Sequence, residues 1–185
     1  MALLALEHSR VAYAADFALY GATVAALSVL LAWRAPADLS PTLSLLVLAG
    51  LLSWTLIEYL LHRFVLHGLQ PFKRWHAEHH ARPTALICAP TLLSAVLIFM
   101  LVFLPAFLLS NVWVACALTL GVVSGYLAYA VTHHAVHHWH GSSLWLKQRK
   151  LWHALHHTRH AQPGRYGVSS NFWDRVWGTG ESAGN

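Results

Sequence analysis

One long apolar stretch constrains this chain more than any other feature. Fifty consecutive positions, from Pro83 to Thr132, carry no charged side chain. As a single helix this stretch would extend for about 75 Å, whereas the hydrocarbon core of a bilayer is about 30 Å thick. It must therefore fold back, and Ser110-Asn111 is the best polar break. The sequence predicts two membrane-spanning helices that form a hairpin around this dipeptide, with Pro90 and Pro105 as candidate kinks in the first.

Two further spans are predicted before this hairpin. Phe17–Trp33 is uncharged and ends at Arg34-Ala35-Pro36, and Asp16 is expected at its N-terminal end, where a carboxylate is tolerated. Pro41 occupies a favoured position for the start of a second helix, which continues through Leu43–Leu61. The fold class expected is therefore all-α, an integral membrane protein with four transmembrane helices.

The composition supports a membrane location. Apolar residues make up 57% of the chain and charged residues only 10%, whereas soluble domains carry about 25%. The two cysteines, Cys88 and Cys116, both lie in apolar stretches and form no CxxC pair, so we interpret them as small core residues.

The basic residues predict the orientation in the membrane. Four spans place both termini on one side, together with the polar segments 62–82 and 133–185. Eleven of the twelve Lys and Arg residues lie on that side, and only Arg34 lies opposite. These eleven are Arg10, Arg63, Lys73, Arg74, Arg82, Lys147, Arg149, Lys150, Arg159, Arg165 and Arg175. Positively charged loops stay in the cytoplasm, so we expect this face to be cytosolic, and the net charge of +5 calls for no nucleic-acid partner.

Histidine is over-represented, with 15 residues against 12 for lysine and arginine together. Most of them fall into four clusters on the predicted cytosolic side. The clusters are His62 with His67, His76-x-x-His79-His80, His133-His134-x-x-His137-His138, and His153-x-x-His156-His157. Each HxxHH presents three imidazoles on one face of a helix, because positions i, i+3 and i+4 are neighbours there. His62 and His67 lie about 140° apart on an ideal helix, so they either address two neighbouring ions or the helix ends between them.

This pattern predicts a metal centre. Imidazole is a good ligand for iron, zinc, copper and nickel, while Mg²⁺ and Ca²⁺ prefer oxygen. About ten such ligands are too many for one ion, and two ions with about five imidazoles each is the natural count. A single histidine is more often a packing or surface residue, and that interpretation remains for His8, His140 and His160.

Glu58 lies one helical turn before His62, within a membrane span. A carboxylate in that position is costly and usually functional. We expect it to accept a hydrogen bond from the second ring nitrogen of His62 and so to fix its tautomer. The alternatives are an ion pair with Arg63 or a side chain that reaches to the membrane interface.

Three weaker features complete the pattern. Leu144–His157 is predicted to form a helix at the membrane interface, with Trp145 and Trp152 at headgroup level. The segment from Gly164 to Asn185 is long enough to cap a site. Gly121 and Gly125 form a GxxxG spacing, which can mark close helix packing but is common by chance in apolar helices.

The motifs HRFVLH, WHAEHH, THHAVHH and WHALHH, in this order, resemble the fatty acid hydroxylase superfamily, which includes sterol desaturases, carotenoid hydroxylases and fatty acid 2-hydroxylases. The segment Ile57–Arg63 resembles the entry to the first motif of the family. The closing segment, with Tyr166-Gly167-Val168-Ser169-Ser170, Phe172-Trp173-Asp174 and Trp177-Gly178-Thr179, most resembles the fatty acid 2-hydroxylase branch. The resemblance covers residues 50–180 within a single domain, 1–185.

The resemblance implies a set of ten metal ligands and a pair of iron ions, for which zinc can substitute during overproduction. The implied ligands are His62, His67, His76, His79, His80, His133, His137, His153, His156 and His157. In the third motif the Thr-His start selects His133 and His137 over His134 and His138. The chain has no room for a fused cytochrome b5 domain, so we expect a separate electron donor such as cytochrome b5 or ferredoxin.

The function implied is hydroxylation of a lipid acyl chain, at C2 of a fatty acid or sphingolipid-type substrate, with O₂ as co-substrate. A hydroxylase or desaturase of a carotenoid or sterol is the alternative within the superfamily. A metal transporter is the non-enzymatic alternative, but it should place its ligands near the middle of its spans, whereas these clusters lie at the span ends.

Overall fold

The computed structural model describes residues 7–158 and 164–180, and over these residues the chain is almost entirely helical. The α-helices are α1 (Arg10–Arg34), α2 (Ser40–Leu60), α3 (Phe72–Ala81), α4 (Thr91–Ile98), α5 (Leu104–Leu109), α6 (Val112–His138), α7 (Leu144–Thr158) and α8 (Phe172–Val176). A π-helical turn continues α2 over Leu61–Leu66, and another joins α4 to α5 over Phe99–Phe103. Extended pairing within the described ranges is limited to one isolated bridge between Glu7 and Ile87. The all-α prediction is confirmed.

Four helical segments are long and apolar enough to cross a membrane, which confirms the predicted number of spans. They are Arg10–Arg34, Ala37–Leu66, Thr91–Leu109 and Val112–His138. The break between the last two lies at Ser110-Asn111, as predicted. The side chain of Asn111 accepts hydrogen bonds from the backbone N–H groups of Trp113 (2.9 Å) and Val114 (3.1 Å), and so caps the start of α6.

The first span begins earlier than predicted. Ser9 caps α1 by accepting a hydrogen bond from the N–H of Ala12, so the helix starts at Arg10 rather than at Phe17. Asp16 therefore lies inside the helix, with only 5% of its surface exposed, and the prediction that it lies at the helix terminus is wrong.

The two prolines of the third span lie at helix starts. Pro90 immediately precedes α4, and Pro105 lies in the first turn of α5, directly after the π-helical turn Phe99–Phe103. The first turn of α4 has no internal partner for its N–H groups, so Pro90 costs little there, whereas Pro105 lies within the continuous helical span Thr91–Leu109. Pro90 thus begins the span instead of kinking it.

The chain divides into two compact units, the first of which comprises Met1–Trp54 and Leu86–Leu127. In this unit α2 and α6 approach each other closely at glycines. A Cβ atom on Gly121 would lie 2.2 Å from the carbonyl oxygen of Val47, and one on Gly125 would lie 2.3 Å from the Cβ of Trp54. The GxxxG spacing, although common by chance in apolar helices, therefore marks a real helix contact here.

Large apolar side chains cover the outside of the first unit. Leu45, Leu101 and Leu108 are each about two-thirds or more exposed. Such an apolar surface is unfavourable in water but suits a hydrocarbon solvent. Together with the four spans it indicates an integral membrane protein.

The second unit comprises Thr55–Ala85 and Ala128–Asn185 and contains all four histidine clusters. Unlike the core of the first unit, its core is rich in polar groups. His156 and Asp174 are fully buried, and Glu58 and His62 are each only 3% exposed. Since buried polar groups need partners, their hydrogen bonds define how this unit is built. That residues 1–185 form one domain stays a prediction.

Candidate metal centre

The π-helical turn explains how His62 and His67 come together. In this turn the N–H of His67 donates to the carbonyl oxygen of His62, five residues earlier, at 3.2 Å. An i→i+5 bond places residues five apart one above the other, whereas an α-helix would separate them by about 140°. The two imidazole rings consequently lie 5.2 Å apart and join the same cluster. The sequence leaves two alternatives open, that the two rings bind neighbouring ions or that the helix ends between them. The structure shows a third arrangement, in which the π turn brings both rings into one cluster.

The first cluster contains five histidines whose nearest ring nitrogens all lie within 4.8 Å of one another. Its members are His62, His67, His76, His80 and His156. The Nε2 atom of His76 lies 2.9 Å from those of both His62 and His80. The Nε2 atom of His156 lies 3.1 Å from those of His67 and His80.

The second cluster contains four histidines that meet the same distance criterion, His79, His133, His137 and His153. The Nε2 atoms of His79 and His133 are 3.1 Å apart, and those of His137 and His153 are 2.9 Å apart. His157 borders this cluster, since its Nε2 lies 3.0 Å from that of His153. Each HxxHH motif therefore contributes rings to both clusters. In α3, for example, His79 points to a different side of the helix from His76 and His80.

The third motif distributes its histidines as the family resemblance implied. His133 and His137 contribute to the second cluster. His134 and His138 instead stack on each other, with ring centroids 4.6 Å apart. His140 is exposed, and His160 lies outside the described residues. The structure thus brings the ten predicted ligands together, while their role as ligands stays a prediction.

The hydrogen bonds of the rings show which nitrogens face the centre of the first cluster. His62 donates from Nδ1 to the carbonyl oxygen of Tyr166 at 2.5 Å, and His156 donates from Nδ1 to that of Gly164 at 2.7 Å. A carbonyl only accepts, so in the neutral ring Nδ1 carries the proton and Nε2 carries a lone pair. The Nε2 atoms of His62 and His156 therefore present lone pairs, the form in which a neutral imidazole binds a metal ion. This donor set fits a metal ion.

The histidines outside the spans are held in the neutral form that metal binding requires. Burial, reinforced by the neighbouring His80, lowers the pKa of His67 from 6.5 to about 4. Burial likewise lowers the pKa of His156 to about 3 and that of His79 to about 2. These rings are therefore neutral at physiological pH, with lone pairs free to bind a metal.

The segment 164–169, here called the tail clamp, holds the first cluster from one side. Its carbonyls at Gly164 and Tyr166 fix His156 and His62, as described above. Arg165 between them adopts a left-handed conformation, with φ of 61°, and its guanidinium lies 5.2 Å from the ring centre of Trp152. A non-glycine residue rarely adopts this conformation, and such strain tends to occur at functional sites.

Two buried carboxylates hold the tail clamp. Glu58 accepts hydrogen bonds from the N–H groups of Val168 (2.5 Å) and Ser169 (2.9 Å) and from the hydroxyl of Ser169. Asp174 accepts from the N–H groups of Tyr166 and Gly167, each at 2.8 Å. The two carboxylates thus accept hydrogen bonds from four consecutive backbone N–H groups, which would otherwise bind water.

The predicted partner of Glu58 is wrong. The second ring nitrogen of His62 donates to Tyr166, not to Glu58, and the guanidinium of Arg63 donates to the hydroxyl of Tyr59 at 2.8 Å. Glu58 instead acts on His62 indirectly, by holding Val168 and Ser169 beside Tyr166. The reason is geometric, because the tail clamp covers the carboxylate and satisfies it with backbone donors.

The sequence pattern predicts no role in the metal centre for Asp174, Thr179 or Arg165. Thr179 donates from its hydroxyl to Asp174 at 2.7 Å, so a third donor reaches this fully buried carboxylate. The signal in the sequence is the closing segment Phe172-Trp173-Asp174 with Trp177-Gly178-Thr179, which also carries the family resemblance. A carboxylate among aromatic residues can be suspected of being buried, but its donors cannot be named from sequence.

A plant protein and a mammalian protein are similar to this chain in sequence. The chain is 35% identical over 150 residues to the dihydroceramide fatty acyl 2-hydroxylase FAH2 of Arabidopsis thaliana, which covers 75% of this chain and 62% of that protein. It is 34% identical over 148 residues to the fatty acid 2-hydroxylase of Rattus norvegicus, covering 72% and 39% respectively. The chain therefore spans less than two-thirds of the length of these relatives.

A solved structure and a family model point to the same kind of protein as these relatives. The structure, described as full-length scs7p with only the hydroxylase domain visible, matches with a TM-score of 0.68 and 26% identity over 88% of this chain and 63% of that one. The fatty acid hydroxylase model matches residues 47–179 and so includes every histidine of both clusters. On the strength of that match, which covers well over half of its length, the chain belongs to the fatty acid hydroxylase family.

Proposed function

We propose that this chain is a membrane di-iron hydroxylase that inserts one oxygen atom of O₂ into a lipid acyl chain, with C2 of a fatty acyl or ceramide-type lipid as the favoured position. The observation that carries the proposal is the convergence of nine imidazoles into two adjacent groups, with His157 at the border of the second. The named relatives, a dihydroceramide fatty acyl 2-hydroxylase and a fatty acid 2-hydroxylase, support the choice of lipid and position.

The ligand chemistry supports iron. All-imidazole sites exclude Mg²⁺ and Ca²⁺, and they suit iron, zinc, copper or nickel. Of these, iron and copper activate O₂ for attack on an unactivated C–H bond, a chemistry that side chains alone do not provide. We propose iron, because the resemblance to the fatty acid hydroxylase family implies it. The first ion would be held by His62, His67, His76, His80 and His156, and the second by His79, His133, His137, His153 and His157.

The protein supplies orientation and burial. The carbonyls of Gly164 and Tyr166 hold two rings with their Nε2 atoms toward the first position. Burial of these rings keeps water away from the site and keeps the free ligands unprotonated. The carboxylates of Glu58 and Asp174 hold the tail clamp rigid, so the ligands are in place before an ion arrives.

Hydroxylation also requires electrons. One oxygen atom enters the lipid and the other leaves as water, which consumes two electrons and two protons. We propose that a redox protein such as cytochrome b5 or a ferredoxin delivers the electrons at the face that carries the histidine motifs. That face is rich in lysine and arginine, which suits an acidic partner.

We also propose that the histidine-bearing face lies in the cytoplasm, which the same basic residues support. Single cysteines at two exposed positions, introduced after replacement of Cys88 and Cys116 by alanine, test this orientation. A membrane-impermeant maleimide should label Asp38→Cys, between α1 and α2, in intact cells. It should label Ser142→Cys, between α6 and α7, only after the membrane has been opened. The opposite result would invert the orientation.

The position of the ligands disfavours the transporter. His133 and His137 lie in the last turns of α6, and His62 lies in the π-helical turn that ends the second span. A transporter needs its ligands near the bilayer midplane, at the point that both sides reach in turn. The ring-lipid alternative is disfavoured by the acyl substrates named for the relatives.

A lipid mass spectrum tests the proposed function. Cells that express the chain should contain acyl lipids one oxygen atom heavier than those of control cells. The product should be absent with His153→Ala and unchanged with His134→Ala, since only His153 belongs to a cluster. A product lighter by two hydrogens would indicate desaturation, and an oxidised polyene or sterol would favour the ring-lipid alternative.

A further inference from the structure

The two histidine clusters differ in how their rings are supported. In the first cluster, the Nδ1 atoms of His62 and His156 donate to carbonyl oxygens of the tail clamp. In the second cluster, the Nδ1 atoms of His79 and His153 are buried and have no hydrogen-bond partner within residues 7–158 and 164–180. The tail clamp therefore supports two rings of the first cluster and neither of these two rings of the second.

We propose that the two metal positions are unequal in affinity, that the first cluster binds its ion more tightly, and that Asp174 is the positioning residue responsible. This inference rests on the proposed function, because it takes both clusters to be metal sites. It adds an order of loading, in which the first position fills before the second.

The physical reason lies in the second ring nitrogen. A carbonyl that accepts from Nδ1 fixes the tautomer, orients the ring and raises the basicity of Nε2, and loss of such a partner typically weakens metal binding by about 10–100-fold. His62 and His156 have this support before the ion arrives. His79 and His153 lack it, so binding there must also select their tautomer and orientation.

Asp174 connects this support to the rest of the fold. It is fully buried and accepts hydrogen bonds from the N–H groups of Tyr166 and Gly167 and from the hydroxyl of Thr179. The first two donors belong to the peptide groups on either side of Tyr166, whose carbonyl holds His62. In Asp174→Asn, one carboxylate oxygen becomes an NH₂ group, which cannot accept from the donor it faces. The tail clamp would then lose one of its two carboxylate anchors, the one that holds the peptide groups on either side of Tyr166, while the metal ligands stayed intact.

Metal titration of the full chain in detergent or nanodiscs tests the inference. The chain is stripped of metal and titrated with Zn²⁺, and with Co²⁺ for a spectroscopic signal. His137→Ala leaves the first cluster intact, and His67→Ala leaves the second intact. The ion that remains in His137→Ala should bind at least about tenfold more tightly than the one in His67→Ala.

Asp174→Asn is then added to each background. We expect the remaining ion to bind at least about tenfold more weakly in the His137→Ala background and to within about twofold of its former affinity in the His67→Ala background. Asp38→Asn, the same change at an exposed carboxylate, is the matched control and should alter neither affinity. Thr179→Val, which removes one donor to Asp174, should give a smaller shift in the same direction even if Asp174→Asn does not fold.

Each outcome is decisive. Equal affinities, or a tighter second position, overturn the inequality. Equal weakening of both positions by Asp174→Asn overturns the positioning role, because it would mark a residue that only stabilises the fold. Failure to bind any ion overturns the proposed function and the inference together. Unequal binding in a chain that makes no lipid product would preserve the inference and reject the proposed function.

Discussion

The apolar unit (Met1–Trp54 and Leu86–Leu127) and the histidine-bearing unit (Thr55–Ala85 and Ala128–Asn185) are built on different principles. In the apolar unit, helices approach each other through glycines such as Gly121 and present leucines to the outside. In the histidine-bearing unit, buried carboxylates hold backbone N–H groups, and backbone carbonyls hold imidazoles. Close packing of helices therefore determines the structure of the apolar unit, and hydrogen bonding of buried polar groups determines that of the histidine-bearing unit. Substitutions in the two units should accordingly affect different properties.

The largest effect is expected from His79→Ala in the second cluster. Removal of this ring takes away a ligand that no neighbour can replace, so one of two ions and all hydroxylation should be lost. Metal analysis of the purified chain and lipid mass spectrometry measure the two effects. His134→Ala, on α6 but in neither cluster, should keep both ions and full activity, and a loss there would show that the clusters have been assigned incorrectly.

Glu58→Gln should have the next largest effect. A glutamine keeps one oxygen that can accept from the N–H groups of Val168 and Ser169, but its NH₂ group cannot accept from the hydroxyl of Ser169 as Glu58 does. We expect about 10–100-fold weaker metal binding, measured by Zn²⁺ titration, with the ion count still two at saturation. Wild-type affinity in this variant would show that the tail clamp does not need Glu58.

Gly121→Ala tests the apolar unit. The added Cβ would meet the carbonyl oxygen of Val47 at 2.2 Å, so the two helices must separate, at a cost of about 1–3 kcal/mol. Thermal unfolding should show this loss of stability, while the metal content of the folded chain stays at two ions. Gly21→Ala is the matched control, since nothing lies within 4 Å of its Cβ, and it should be neutral or stabilising. A loss of metal in Gly121→Ala would contradict the division of roles between the units.

The smallest effect is a pH dependence confined to the histidine-bearing unit. In the unfolded chain, histidines take up protons near pH 6.5, but the folded pKa is about 4 for His67 and about 3 for His156. Between these values the unfolded state binds more protons, so the stability of the metal-free chain should be complete above pH 6.5 and fall as the pH decreases toward 4. Thermal unfolding from pH 8 to pH 5 measures this, and His67→Gln should give a shallower decrease. A flat profile would mean that the rings are more accessible than the structure shows.

The sequence predicts local features of this fold better than long-range ones. The four spans and the break at Ser110-Asn111 follow from hydropathy and length, which are local properties. The start of α1 was placed too late because the cap at Ser9 lies outside the apolar run. The histidines of both clusters are also predicted, because all of them stand in four short motifs, and each HxxHH fixes the spacing of three rings on a helix.

The remaining features depend on contacts that spacing does not encode. The π turn that unites His62 and His67 needs an i→i+5 bond, which the motif HRFVLH does not indicate. The partners of Glu58 lie 110 and 111 positions further along the chain, so the nearer His62 was the natural but wrong choice. Likewise, the importance of Gly121 depends on Gly50 and Val47 on a different helix.

Anomalous diffraction at the iron edge, from crystals of the iron-loaded chain, tests the central claim most directly. The account predicts two anomalous peaks, one among His62, His67, His76, His80 and His156 and the other among His79, His133, His137 and His153. A single peak, or a peak outside these groups, would contradict a centre made of two histidine-bound metal ions.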